Sequence, residues 1–121
     1  MKILKYFLIA GIAAFASWGG EIWAHIFPDH CEPKVGSTLA VSPTQVRIWF
    51  DGGLEGAFSS IRVQQWNGQR VDKGDGKVNP DDKTLLETTL PTLSPGIYRV
   101  IWNVVGVDGH RTQGSYSFTL K

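Results

Sequence analysis

Apolar and polar residues alternate with a period of two through most of the chain. Val46, Ile48 and Phe50 alternate with Arg47 and Trp49, and Ile61 and Val63 alternate with Arg62 and Gln64. Tyr116, Phe118 and Leu120 alternate with serines and a threonine. That period places successive side chains on opposite faces of a strand. Leu85–Leu90 reads as a further short strand and Ile97–Val105 as the longest. In the latter, Tyr98, Val100, Trp102 and Val104 share one face and Arg99, Ile101, Asn103 and Val105 the other. Both faces are fairly apolar, so this strand is expected to be central. Asn67-Gly68 predicts a hairpin with a type I′ turn, and Pro95-Gly96 predicts the turn before the long strand. Pro28 and Pro33 bracket what reads as an irregular opening segment, and Asp72 to Lys83 reads as a polar loop. No helical period persists over ten residues. The expected fold is all-β: an Ig-like antiparallel β-sandwich of Greek-key type.

The first residues follow a different pattern. Lys2 and Lys5 precede an apolar run from Tyr6 to Ala16, which is interrupted by Ser17, Gly19, Gly20 and Glu21. A membrane-spanning helix needs about 20 apolar residues, so the run reads as the core of a secretory signal peptide. Two cleavage sites offer small residues. Ala14-Phe15-Ala16 would leave Ser17 first, and Ile22-Trp23-Ala24 would leave His25 first. The former is the slightly better motif.

Composition narrows the function. Apolar residues make up 42% and charged residues 19% of 121 residues, which fits one globular domain and not a disordered chain. Twelve basic residues face eleven acidic ones, so no basic excess argues for nucleic-acid binding. With Lys2, Lys5 and Glu21 removed, the remainder is neutral. One cysteine excludes an internal disulfide and any multi-cysteine zinc or iron–sulfur site. A single methionine, Met1, excludes a methionine-rich copper(I) surface. A small domain without a disulfide relies on its core, to which the tryptophans are expected to contribute much.

The candidate chemistry lies in three histidines, His25, His30 and His110. Asp108 and His110 are two apart. In an extended segment they would present a carboxylate and an imidazole to one side, with Gly109 leaving room between them. Asp-Gly is equally a common turn dipeptide. A histidine at a mature N-terminus adds an α-amine, with a reference pKa of about 7.7–8.0, that can chelate a metal together with its own ring. Three nitrogens from His25 and His110 and an oxygen from Asp108 favour copper(II), less often nickel(II). His30 reads as a surface residue or an auxiliary ligand, and Cys31 as a small apolar residue or an auxiliary ligand. Phe27, Trp49 and Trp102 read as core or as the wall of the site. The acidic loop 72–82 lacks the spacing of a calcium loop.

Together these features resemble the CopC family of periplasmic copper-binding proteins. The resemblance rests on His25, Glu32-Pro-Lys-Val-Gly-Ser-Thr38, Val46-Arg-Ile-Trp-Phe50, Pro95-Gly-Ile-Tyr-Arg-Val-Ile-Trp102, Val104-Val-Gly-Val-Asp-Gly-His110 and Gly114-Ser-Tyr-Ser-Phe118. It implies an Ig-like sandwich and one copper(II) per chain, held by the amine and ring of His25, Asp108 and His110. It favours cleavage at Ala24/His25, giving a signal peptide at 1–24 and a copper-binding domain at 25–121. It further implies a periplasmic role in copper homeostasis or resistance, with a CopD-type inner-membrane protein as partner and no catalysis. Some family members carry an acidic residue after the strand ending at Phe50, where this chain reads Asp51-Gly52-Gly53.

Two other functions share some of these features. A terminal histidine with a second histidine is also the copper clamp of lytic polysaccharide monooxygenases, although Asp108 would fill a position that oxygen activation needs open. Cleavage after Ala16 would instead leave a metal-free Ig-like interaction module.

Overall fold

Eight strands build two facing sheets in the computed structural model, which describes residues 25–121. The expected signal peptide at 1–24 lies outside the described residues. In chain order the strands are β1 (Pro28–Glu32), β2 (Thr38–Leu39), β3 (Gln45–Phe50), β4 (Ser60–Gln65), β5 (Lys77–Asn79), β6 (Asp82–Thr89), β7 (Gly96–Val105) and β8 (Arg111–Leu120). A 3-10 turn, Gly56–Phe58, precedes β4. The first sheet runs β1-β3-β6-β5 and the second β2-β8-β7-β4. The chain crosses between the sheets five times, staying in one sheet only from β5 to β6 and from β7 to β8, so neither sheet forms alone. The expected all-β sandwich is observed, and the long β7 is central, between β8 and β4.

The alternating pattern produces the core directly. Val46, Ile48 and Phe50 from the first sheet meet Val63, Val100, Val104 and Phe118 from the second, all nearly or fully buried. Tyr98 stacks on Phe118 with ring centroids 5.5 Å apart, and its hydroxyl donates to the Ser94 carbonyl four residues upstream, satisfying the one polar atom its burial would strand. Trp102 packs edge-on against Phe50 at 5.2 Å. Gly114, paired with Trp102 across β7 and β8, leaves space for the indole; a Cβ there would lie 2.5 Å from Trp102 Cζ2.

Several local expectations are corrected. The opening segment contains a strand: β1 pairs antiparallel with β3, its backbone groups completing the edge of the first sheet despite Pro28 as its first residue and Pro33 just after it. The polar loop contains β5, which pairs with β6. The sandwich is antiparallel as expected except at the two-residue β2, which pairs parallel with β8, Thr38 with Thr119 and Leu39 with Leu120. At Asn67-Gly68 only the glycine has positive φ, at 93°, so the turn is not type I′. Gly68 N–H donates to Gln65 O and Gln65 N–H to Gln69 O, the pattern of a three-residue turn closed by a left-handed glycine. Among the described residues, Trp102 is the one tryptophan in the core; Trp49 is half-buried and Trp66 is 67% exposed.

Candidate metal centre

The loop joining β7 to β8 carries Asp108 and His110 at one end of the sandwich. Val105 pairs with Arg111 as the last rung, and Gly106 N–H donates to His110 O at 2.9 Å. Gly109 N–H donates to Gly106 O at 2.8 Å, and Gly109 itself has φ of 87°. The segment is therefore a tight turn, not the extended run that would align residues two apart. The glycine supplies left-handed backbone rather than room for side chains. Asp108 and His110 nevertheless meet. Asp108 Oδ1 accepts the His110 backbone N–H at 3.0 Å, and Oδ2 lies 3.1 Å from His110 Nδ1. The turn reading and the paired-side-chain reading are both realised, because an Asx-type contact across the turn draws the two together. These contacts hold the Asp108 carboxyl below the usual carboxylate range, the His110 backbone N–H contributing most.

A second segment brings His25 to the same place. Phe27 and Asp51 form a reciprocal clamp: Asp51 N–H donates to Phe27 O at 2.9 Å, and Phe27 N–H donates to Asp51 Oδ1 at 2.9 Å. Thr112 Oγ1 donates to the Ile26 carbonyl at 2.8 Å. Ile26, 8% exposed, seats over two glycines. A Cβ on Gly106 would fall 2.3 Å from Ile26 Cδ1, and one on Gly52 would fall 3.2 Å from it. With its neighbour fixed by one apolar plug and three hydrogen bonds, His25 stands beside His110 with ring centroids 5.3 Å apart. Phe27, 53% exposed, lies 6.2 Å from the His25 ring, and the exposed Val107 lies on the same loop as His110.

The structure thus brings together His25, Asp108 and His110, residues separated by more than eighty positions. The cluster is two pairs that share His110: among the described residues, no three His, Cys, Asp or Glu side chains already converge on one point. Two imidazoles that bind one ion through nitrogens about 2 Å from it have centroids roughly 4–6.5 Å apart, so the 5.3 Å observed is compatible with a shared ion.

His30 and Cys31 stand apart from one another. As neighbours on β1 they point to opposite faces. His30 faces outward, stacked on Trp49 at 4.4 Å with the rings 9° from parallel, and its Nδ1 lies 3.1 Å from Asp29 Oδ2. Cys31 pairs with the buried Ile48 and packs against the core beside Tyr116. Burial, with the adjacent thiol adding to it, pushes the Tyr116 phenol well above its usual range. Sequence reasoning missed the residues that hold the histidine segment: Ile26, Asp51, Gly106 and Thr112.

Fold and site together define a small β-sandwich with a histidine–aspartate–histidine cluster at one pole. A family profile described as "CopC domain" matches residues 29–121, and the chain belongs to that family. It is 33% identical over 102 residues to Protein YobA of Escherichia coli K12, spanning 84% of this chain and 82% of that protein. It is 32% identical over 99 residues to the Copper transport protein CutJ of Bacillus subtilis strain 168, spanning 81% of this chain and 18% of that protein. The crystal structure of CopC from Methylosinus trichosporium OB3b superposes with a TM-score of 0.74 at 35% identity, covering 80% of this chain and 94% of that one.

Proposed function

We propose that this chain is a copper(II)-binding protein of the periplasm. Residues 1–24 are removed as a signal peptide, and the domain at 25–121 holds one copper(II) ion through the amine and ring of His25, Asp108 and His110. It buffers or carries copper for homeostasis or resistance and is not an enzyme. The observation that carries the reading is the approach of His25 to His110 at 5.3 Å. Membership of the CopC domain family and the copper-related names of relatives support the choice of metal.

The donor set fits the ion. Imidazole and amine nitrogens with a carboxylate oxygen suit tetragonal copper(II), whereas copper(I) prefers sulfur. Two donors at right angles, each about 2 Å from one ion, are roughly 2.9 Å apart; His110 Nδ1 and Asp108 Oδ2 are 3.1 Å apart. In the full precursor the His25 nitrogen is a peptide amide joined to Ala24. Cleavage there converts it to a basic amine, and a turn of the His25 ring then brings amine and imidazole onto the ion. His30 and Cys31 are left outside the core ligand set. Among the described residues no helix is long and apolar enough to cross a membrane. Delivery to a CopD-type inner-membrane protein is part of the same proposal.

The test has two parts. The intact mass of the exported protein is expected to begin at His25; a start at Ser17 overturns the cleavage and with it the amine ligand. Electron paramagnetic resonance of that protein loaded with copper(II) is expected to show a tetragonal site with several nitrogen ligands. His110→Ala, or a glycine inserted before His25, is expected to weaken binding by orders of magnitude while circular dichroism stays unchanged. Unchanged affinity in both would refute the assigned ligands. Binding is also expected to fall as pH drops, because protons compete for the amine and imidazoles.

A further inference from the structure

The two sheets differ in charge. No residue of the β2, β4, β7 or β8 strands is acidic, and three of them are arginines: Arg62, Arg99 and Arg111. The first sheet carries Asp29, Glu32, Asp82 and Glu87 against Arg47, Lys77 and Lys83. Register puts all three arginines of the second sheet on its outer face. Arg62 pairs with Ile101, Arg99 pairs with Gln64 and Ser117, and Arg111 pairs with Val105, while Val63, Val100 and Trp102 fill the inner face. All three are exposed. None is within salt-bridge reach of a carboxylate among the described residues; the guanidinium pairs there are Arg47–Glu87 and Arg70–Asp72. Arg111 bonds instead to the neutral Asn103.

Glu55, whose backbone N–H donates to Val105 O at the Arg111 end, is an exposed carboxylate at the margin that forms no ion pair with the three arginines, and two further carboxylates are committed elsewhere. Asp72 accepts from Arg70 and from the Val63 and Gly74 backbone N–H groups, and Asp108 is engaged by His110. The face is therefore a cationic plane on a molecule of almost no net charge.

The three guanidiniums do not converge. Arg99 lies opposite Ser117, six residues along β8 from Arg111, a separation of roughly 20 Å at strand rise. One small anion cannot meet them all, whereas a flat array of charges can. At the Arg99 end an apolar pair is exposed. Trp66 is 67% and Ile97 48% exposed; Trp66 N–H donates to Ile97 O, and the Arg99 guanidinium sits 5.6 Å over the Trp66 ring. An exposed indole beside arginines is the chemistry of a lipid headgroup boundary, where the ring lies at the interface and the cations meet phosphates.

We propose that the outer face of the β2-β8-β7-β4 sheet docks the folded domain on an anionic phospholipid surface, with Arg62, Arg99 and Arg111 on the headgroups and Trp66 at the boundary. Docking places the β7–β8 loop, next to Arg111, at the rim of the contact, so the His25–His110 pole stays open beside the membrane. The inference does not depend on copper.

The exported protein, first checked by mass to lack the apolar 1–24 segment, is sedimented with vesicles of phosphatidylglycerol and phosphatidylcholine, and with phosphatidylcholine alone. Binding is expected only to the anionic vesicles and is expected to be lost at high salt. Neutralising the three arginines together (R62Q, R99Q and R111Q) is expected to lower partitioning on the order of 100-fold, from about a kilocalorie per mole for each cation at the surface. Trp66→Ala is expected to weaken binding further. The control K73Q, K77Q and K83Q removes the same charge around the other sheet and is expected to leave partitioning unchanged. Absence of binding to anionic vesicles, an equal loss in the lysine control, or retention in the arginine variant overturns the proposal. Capture of the protein by soluble polyglutamate as strongly as by the vesicles also overturns it, in favour of an acidic protein partner. Circular dichroism of each variant separates these results from misfolding.

Discussion

Gly106 shows how much of the site depends on residues that carry no chemistry. Its missing side chain gives Ile26 a seat, and a Cβ there would also come within 2.8 Å of Asp108 Oδ1. Gly106→Ala is therefore expected to push the histidine segment outward while the sheets persist. Under the copper reading the affinity should fall about 10–100-fold, as for other losses of support around a ligand, measured by competition with a chelator. Thr112→Val keeps the shape but removes the hydroxyl that donates to the Ile26 carbonyl. It is expected to cost about 1 kcal/mol and to raise hydrogen exchange at the His25–Phe27 backbone without altering it in β7. The donor-bearing side chains could be picked out by residue type, because few residues offer imidazole or carboxylate groups at such spacing. Ile26, Asp51 and Thr112 could not, because an aliphatic side chain, a carboxylate and a hydroxyl in those positions match countless surface residues. Only their contacts with segments distant in sequence give them a role.

At the scale of elements, two turns and one loop decide where the ends of the strands go. Both Gly68 and Gly109 close three-residue turns with left-handed φ, and the second of these aims Asp108 and His110 to one side. The loop between β4 and β5 is tied down by carboxylates. Asp75 accepts from the Thr88 hydroxyl and from the backbone and hydroxyl of Thr89, chiefly Thr89, which holds its pKa down at about 2. A carboxyl depressed in the folded state stabilises fully above its unfolded value near 4, and loses that contribution as pH falls toward 2. Asp72 moves the same way: burial alone would raise it, but Arg70 and the Val63 and Gly74 N–H groups lower it by more. Thermal stability is thus expected to fall from about pH 4 to pH 2, with a shallower fall in Asp75→Asn, read by Tm across that range. In the second sheet, Gly114→Ala would force a Cβ against the Trp102 indole. Overpacking of this kind costs about 1–3 kcal/mol, which predicts a Tm lower by at least about 4 °C.

For the whole molecule, stability comes from one apolar layer shared by two sheets that exchange strands. Phe118 is 1% exposed and stacks on Tyr98, so Phe118→Ala is expected to cost about 3–5 kcal/mol. That is a large share of the roughly 5–15 kcal/mol typical of a domain, and denaturant melts should show it. If the proposed copper site closes between the His25 segment and the β7–β8 loop, copper binds only the folded chain. A copper concentration about 100 times Kd should then add about 2.7 kcal/mol, visible as a higher Tm in the unmodified protein and absent in His110→Ala.

By itself the sequence determined the strands and their inner faces, since a period of two needs only local information and burial follows from it. The apolar residues on both faces of the long β7 pointed to a central strand, and it is central through pairing on both edges, although only its inner face is covered. The sequence also supplied the kinds of atoms that can hold a metal. Tertiary structure decided what depends on partners remote in the chain: that the opening segment joins the edge of β3, that β2 runs parallel to β8, that tryptophans lie outside the core as well as within it, and that arginines from three strands share one open plane. Above all it decided that His25 stands beside His110. Hydrogen bonds and packing from Asp51, Gly106 and Thr112 fix that meeting, and no local rule of propensity or spacing contains it.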